Sequence, residues 1–120
     1  MSHILTAYAD TERVQAIQNH FGTHLEQING VQKYLLLCLL AQYCFVQFDG
    51  EDPDPDFTFD ACLELSQIGQ HADATTASIW LTLEGASEPE LQGVILAISS
   101  QLFDGEYARL HPKSAALTGR

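Results

Sequence analysis

Apolar residues recur every three or four positions along much of the chain, which is the spacing of one face of an α-helix. A first helix is expected between a cap at Asp10 or Thr11 and a stop at Gly22. A second start is expected at Thr23, because Thr23 and Glu26 have the spacing of a capping box. The apolar stripe of the first helix consists of Val14, Ile17 and Phe21.

The most apolar part of the chain runs from Val31 to Phe48 and is apolar on nearly every side of a helical wheel. Such a segment predicts a helix that is surrounded by other helices. Gly30, just before it, is expected to break or bend the chain. Two buried strands are the alternative, but the segment has no Gly, Pro, Asn or Asp to form a turn between them. Its most apolar run, 34–46, is interrupted only by Gln42 and falls short of the ~18–20 residues that cross a bilayer, so no membrane span is predicted.

Two further helices begin at recognisable caps. One covers roughly residues 59–71, with Thr58 or Asp56 as its cap. The other starts at Ser87, because Ser87 and Glu90 have capping-box spacing with a proline between them. Both starts lead into apolar residues at helical spacing.

Residues 73–84 are ambiguous. Asp73 and Gly85 frame a short helix, whereas apolar and polar residues alternate over Ile79–Leu83 as in a strand. Helix is the favoured interpretation, and a short strand in an α+β fold is the alternative. The elements together predict an all-α fold: a single compact acidic bundle of five or six helices, with loosely ordered ends at about residues 1–9 and 112–120.

Charge is distributed unevenly along this pattern. Between Tyr34 and Ala108 the sequence has thirteen Asp and Glu residues and no Lys or Arg, and the formal net charge of the chain is −11. A field of one sign repels itself and attracts a partner of the opposite sign. Direct nucleic-acid binding is excluded, because five scattered basic residues do not neutralise a phosphate track.

No motif indicates catalysis, a cofactor or a metal. The chain has no glycine-rich phosphate loop and no G-x-S-x-G elbow, and its three cysteines lie on apolar segments, so no enzyme is predicted. His20 and His24 have the spacing of zinc ligands, but the expected break at Gly22 separates them. The start of the chain lacks the pattern of a secretory signal, which favours a cytoplasmic location.

The charge pattern predicts a protein-binding module that docks on a basic protein, such as a nuclease or a nucleic-acid-binding protein, and inhibits or regulates it. Carboxylates about 5–6 Å apart imitate a line of phosphates. In charge and size, without any shared motif, the chain resembles immunity proteins, inhibitors and DNA-mimic proteins. The predicted contact residues are Asp49, Glu51, Asp52, Asp54, Asp56, Asp60 and Glu64, with Glu84, Glu88 and Glu90 as a second cluster.

An alternative function uses apolar rather than acidic surface. A chaperone or assembly subunit would hold a client, or a second copy in a homodimer, through an apolar helix face. Trp80 and the Val31–Phe48 segment are the predicted contact region for this function. The two hypotheses differ in their expected response to salt, because screening weakens contacts between opposite charges and leaves apolar contacts intact.

Overall fold

The structure, a computed structural model, describes residues 3–48, 57–65 and 67–108. Within these ranges the chain forms five α-helices, two short 3₁₀ turns and no strand, which confirms the predicted all-α fold. The helices are α1 (Glu12–Phe21), α2 (Gly30–Phe48), α3 (Phe59–Leu65), α4 (Ala74–Thr82) and α5 (Glu88–Phe103). The 3₁₀ turns are Leu5–Ala7 and Gly69–His71.

Four helices begin at caps that the sequence predicted. Thr11, and not Asp10, caps α1, while Thr58, Asp73 and Ser87 cap α3, α4 and α5. In each case the side-chain oxygen accepts a hydrogen bond from the backbone amide three residues later, which satisfies an otherwise unpaired donor of the first turn.

The alternative of a strand over Ile79–Leu83 is wrong, because these residues belong to α4 and the turn that ends it. The buried positions are Thr76, Ile79, Trp80 and Leu83, a helical spacing, whereas Leu81 is exposed. The apparent alternation arose because Leu81, an outward residue, is also apolar.

The prediction of a helix start at Thr23 is wrong as well. Residues 22–28 form turns, and Leu25 adopts a positive φ of 49° with its side chain buried in the core. The capping box lies six residues later and is reciprocal. Asn29 Oδ1 accepts from the Gln32 amide and Gln32 Oε1 accepts from the Asn29 amide, both at 2.8 Å. Gly30 therefore begins α2 and does not break it.

The predicted helix over residues 59–71 is divided in two. α3 ends at Leu65, and the chain continues to the 3₁₀ turn Gly69–His71. Gly69 is buried against the backbone of α3, where a Cβ would lie 2.4 Å from the carbonyl oxygen of Leu63. Only glycine permits this close approach.

The N-terminal residues from Leu5 to Ala9 are packed, in contrast to the loose end expected there. Leu5 and Ala9 are buried, and the Leu5 amide donates to the Thr23 carbonyl at 2.8 Å. The segment crosses α5 at Gly93, where a Cβ would lie 2.8 Å from the Ala9 Cβ. The predicted loose end at residues 112–120 lies outside the described residues.

The core is centred on the largest buried side chain, that of Trp80 on α4. Its indole Nε1 donates to the Phe59 carbonyl at 2.9 Å, and its ring lies 4.3 Å from the Phe59 ring and 6.0 Å from that of Tyr43. The indole thereby ties α4 to the start of α3 and to α2. Leu36, Leu39 and Leu40 of α2 and Leu91, Val94 and Ile98 of α5 are also buried in this core.

Candidate partner-binding surface

Five of the predicted contact residues lie outside the described residues, but the structure describes the residues on either side of them, Phe48 and Phe57. Phe48 ends α2 before this acidic segment, 49–56, and Phe57 follows it. Both rings lie 6.2 Å from the ring of Tyr43, and Gln47 Nε2 donates to the Phe57 carbonyl at 2.7 Å. The two residues that flank the acidic segment in the chain therefore both lie beside Tyr43. Its predicted contact residues are Asp49, Glu51, Asp52, Asp54 and Asp56.

Two carboxylates of the predicted second cluster lie beside the same end of α2. Burial raises the pKa of Tyr43, and the nearby charge of Glu84 raises it further. Burial likewise raises the pKa of the Cys44 thiol, with a contribution from Glu88. Glu84 is exposed and Glu88 half-buried. Both charges therefore act on the C-terminal part of α2, which precedes the acidic segment in the chain.

Asp60 and Glu64 are exposed and lie four residues apart on α3, so they share one face of that helix. Asp60 is in the first turn, where the positive end of the helix dipole stabilises a carboxylate. Since α3 begins two residues after Phe57, this pair follows the acidic segment directly in the chain.

Glu90 is a predicted contact residue whose carboxylate has partners on another element of the fold. It accepts a hydrogen bond from the Thr11 hydroxyl, and its Oε1 lies 3.7 Å from Arg13 Nη1. Only 9% of its side chain is exposed. Glu90 joins the start of α1 to the start of α5, and we assign it to the fold and not to the open acidic surface.

Lys33, which the sequence pattern left among the scattered basic residues, is fully buried. Its ammonium donates to the His24 carbonyl at 2.7 Å, to Gln101 Oε1 at 2.9 Å and to the Glu106 carbonyl. Burial lowers its pKa to about 8, while Glu26 and Glu106 oppose the shift. The signal in the sequence is positional: Lys33 stands three and seven residues before Leu36 and Leu40, on the inward stripe of α2.

The prediction that Trp80 contacts a partner is wrong, because its side chain is fully buried in the core and its indole donates a hydrogen bond to the Phe59 carbonyl. The expectation that other helices surround α2 is also only partly correct. One side of α2 is open, with exposed fractions of 64% for Val31, 62% for Tyr34 and 69% for Phe45. The apolar surface thus lies on the outward side of α2 and away from α4.

Shallow grooves flank this outward side at Tyr34. Tyr34 lines a groove of about 270 Å³ toward α5 with Ser99 and Phe103. It also lines a groove of about 340 Å³ toward the second 3₁₀ turn with Cys38 and His71. Both are open to the surroundings and lack a buried charged group, which suits a protein surface better than a small polar ligand.

By length and composition alone, α2 could cross a membrane: its 19 residues include a window of mean hydropathy 1.3. The prediction that this segment is too short to cross a membrane considered only residues 34–46, whereas the complete helix covers Gly30–Phe48. Core helices of globular proteins have the same property. The buried Lys33 and its three acceptors show that the inner side of α2 is built to pack against protein. Within the described ranges no three His, Cys, Asp or Glu side chains are grouped so that they could hold a metal ion.

Comparison of the chain with protein-family models, curated proteins and solved structures found no match. The class that the fold defines is therefore an all-α helical bundle, and its functional interpretation depends on its own surface.

Proposed function

We propose that this protein is an acidic protein-binding module that docks on a basic partner, such as a nuclease or a nucleic-acid-binding protein, and inhibits or regulates it. The observation that supports the proposal most is the state of the two basic side chains that the structure describes. Lys33 is buried, and Arg13 is paired with Glu90. Lys33 exposes no positive charge and the guanidinium of Arg13 lies 3.7 Å from a carboxylate oxygen of Glu90, so the charge balance of the described surface is negative.

The position of the carboxylates also supports the proposal. The charges of Glu84 and Glu88 act on Tyr43 and Cys44, and the residues that flank the acidic segment, Phe48 and Phe57, have rings 6.2 Å from that of Tyr43. Carboxylates concentrated at one end of a bundle raise the association rate with a basic partner and orient its approach. We call the acidic segment together with Asp60, Glu64, Glu84 and Glu88 the acidic end.

The proposal is tested by immobilising the protein and exposing it to host lysate at low ionic strength, after nuclease treatment, with elution by a salt gradient. Basic proteins recovered at moderate salt are then purified, and their affinities are measured by calorimetry at several salt concentrations. Because charge contacts are screened, we expect the dissociation constant to rise at least tenfold between about 20 and 200 mM salt.

A charge-matched pair of variants locates the contact. Asp52, Asp54 and Asp56 are replaced by Asn in one variant. In the control, Glu26→Gln and Glu106→Gln, whose charges act on Lys33 near the start of α2, together with Asp104→Asn at the end of α5, remove the same charge. We expect the first variant to lose at least tenfold in affinity and the control to change little. Equal losses in the two variants, or a complex insensitive to salt, would refute docking through the acidic end.

The second candidate function, an assembly or chaperone subunit that binds through an apolar helix face, is favoured by one observation, the exposed outward side of α2. Binding through this side would persist at high salt and would not involve Trp80, which is buried. Retention of a partner at high salt by the immobilised protein would support this candidate.

A further inference from the structure

The outward side of α2 has a regular arrangement. Six exposed positions follow one another at alternating spacings of three and four residues over the whole helix. This is the spacing of the seam along which two helices pack in a coiled coil. The positions are Val31, Tyr34, Cys38, Ala41, Phe45 and Phe48.

α5 extends this stripe on one side. Leu96, Ser99 and Phe103 are exposed and share one side of α5, and Phe103 is 91% exposed. Tyr34 and Phe103 line the same groove, so the two stripes are neighbours. We call the six positions of α2 and these three of α5 the α2–α5 face.

The α2–α5 face carries no charge in a protein of net charge −11. Neither residues 34–48 nor residues 91–103 include an Asp, Glu, Lys or Arg. A basic partner would find no counter-charge on this face. A second copy of the chain would meet an uncharged surface, which is the part of the molecule where two such acidic chains approach with least repulsion.

The size of the face also matches a protein interface. The exposed fractions of its large side chains correspond to roughly 700 Å² of apolar surface, given that a whole aromatic side chain presents about 150–250 Å². A standard specific interface buries about 800 Å² on each partner, and monomers seldom expose one apolar patch larger than a few hundred Å². The large side chains counted are Val31, Tyr34, Phe45, Phe48, Leu96 and Phe103.

From the spacing, the absence of charge and the area, we infer that the α2–α5 face binds a second copy of this chain and forms a symmetric dimer in which α2 packs against α2 of the partner. An uncharged face meets itself across a two-fold axis without like-charge contacts, as an isologous interface requires. The dimer does not depend on the proposed basic partner.

Sedimentation equilibrium tests the inference on the full-length chain. We expect the wild-type protein to have twice the mass of its 13.2 kDa chain at micromolar concentrations. Tyr34→Lys with Phe45→Lys should convert it to a monomer, with at least a hundredfold weaker association. Ile4→Lys with Leu81→Lys is the control, because it adds the same charge at exposed apolar residues outside the face. Circular dichroism checks that both variants are folded.

Cys38 provides a second measurement that needs no disruptive substitution. It is exposed near the middle of the stripe, whereas Cys44 is half-buried and Cys62 buried. A residue near a two-fold axis lies close to its own copy, so a short bis-maleimide should link two wild-type chains and fail with Cys38→Ser. A dimer that is not linked through Cys38, or one that survives the Tyr34 and Phe45 substitutions, would place the interface elsewhere and overturn the inference.

Salt distinguishes this inference from the proposed function. Screening reduces repulsion between two acidic chains, so dimerisation should strengthen a few-fold between about 20 and 300 mM salt, whereas a complex with a basic partner should weaken. A wild-type protein that remains monomeric at 100 µM in this salt range overturns the dimer and leaves the basic-partner proposal intact. Monomers that instead float with neutral lipid vesicles would assign the face to a membrane and overturn the dimer as well.

Discussion

Replacing Lys33 with Met should make the stability of the protein respond differently to pH. The substitution retains the length of the side chain and removes the ammonium, which leaves the carbonyls of His24 and Glu106 and the Oε1 of Gln101 without this donor. Each buried acceptor left unsatisfied lowers the unfolding free energy by about 1–3 kcal/mol. Part of this loss is offset, because the variant no longer has to bury a charge. We expect a net loss of about 1–3 kcal/mol of unfolding free energy at pH 7.

The pH dependence follows from the lowered pKa. Burial moves the pKa of Lys33 from its ordinary 10.5 to about 8 in the folded chain. Between these values the unfolded chain still holds the proton that the folded chain has released, so the contribution of Lys33 to the stability of the wild-type protein rises with pH. This contribution is absent below pH 8 and complete above pH 10.5. From pH 7 to pH 9 this contribution amounts to about 1.3 kcal/mol. The difference in unfolding free energy between the wild type and Lys33→Met should therefore grow by about 1.3 kcal/mol over this range.

Urea unfolding at pH 7, 8 and 9 and constant ionic strength measures this difference, with the fluorescence of Trp80, the single tryptophan of the chain, as the signal. Burial raises the pKa of Cys62 to about 11, which lowers the stability of both proteins in alkaline solution and cancels when the two are subtracted. Arg13→Met is the control, because it removes a cation that does not titrate in this range, so its effect should be independent of pH.

Two outcomes would contradict the reasoning. One is a difference between wild type and Lys33→Met that stays constant from pH 7 to pH 9, which would mean that Lys33 keeps its proton in the folded chain and that burial does not lower its pKa. The other is a variant as stable as the wild type at pH 7, which would mean that the three acceptors lose nothing when the ammonium is removed.

Two further substitutions test the fold. Gly93→Ala should destabilise the protein by about 1–3 kcal/mol in thermal unfolding, because the new methyl would press on Ala9, although alanine is intrinsically the better helix former. A gain in stability would mean that the N-terminal segment moves aside freely. Asn29→Ala should cost about 1 kcal/mol through loss of the α2 cap, whereas Thr23→Ala should change stability by less than about 0.5 kcal/mol. Equal costs in urea unfolding would count against the cap at Asn29.

The helix starts that could be predicted from the sequence are those set by a few adjacent residues. Thr11, Thr58, Asp73 and Ser87 act on amides three residues away, so local reasoning was sufficient. The start at Thr23 failed because a tertiary effect prevails there: Leu25 is buried in a turn with positive φ. The pattern of residues gives no sign of that burial, whereas the box at Asn29 and Gln32 is a local signal of the same kind as the other four.

The candidate surfaces were harder to predict, for a physical reason. In an amphipathic helix the polar side marks the surface, but α2 is apolar nearly all round, so its sequence does not show which side is open. The same property left Lys33 with the surface charges, although it lies on the inward stripe of α2. Glu90 was assigned to the acidic surface for a similar reason. A carboxylate at this position suits a capping box, an open acidic surface and an ion pair with Arg13 equally well, so the residue type does not distinguish them. The acidic end, by contrast, is directly visible as charge in the sequence.

The burial of Lys33 has a practical consequence for chemical and proteolytic probes. The chain contains two lysines, Lys33 and Lys113, and the ammonium of Lys33 is enclosed by carbonyl and amide oxygens. Amine-acylating reagents and lysine-specific proteases reach it only when the core opens. Modification or cleavage at Lys33 therefore reports the population of opened molecules. The rate of this reaction during a brief exposure to trypsin or an acylating reagent measures how often the native state opens.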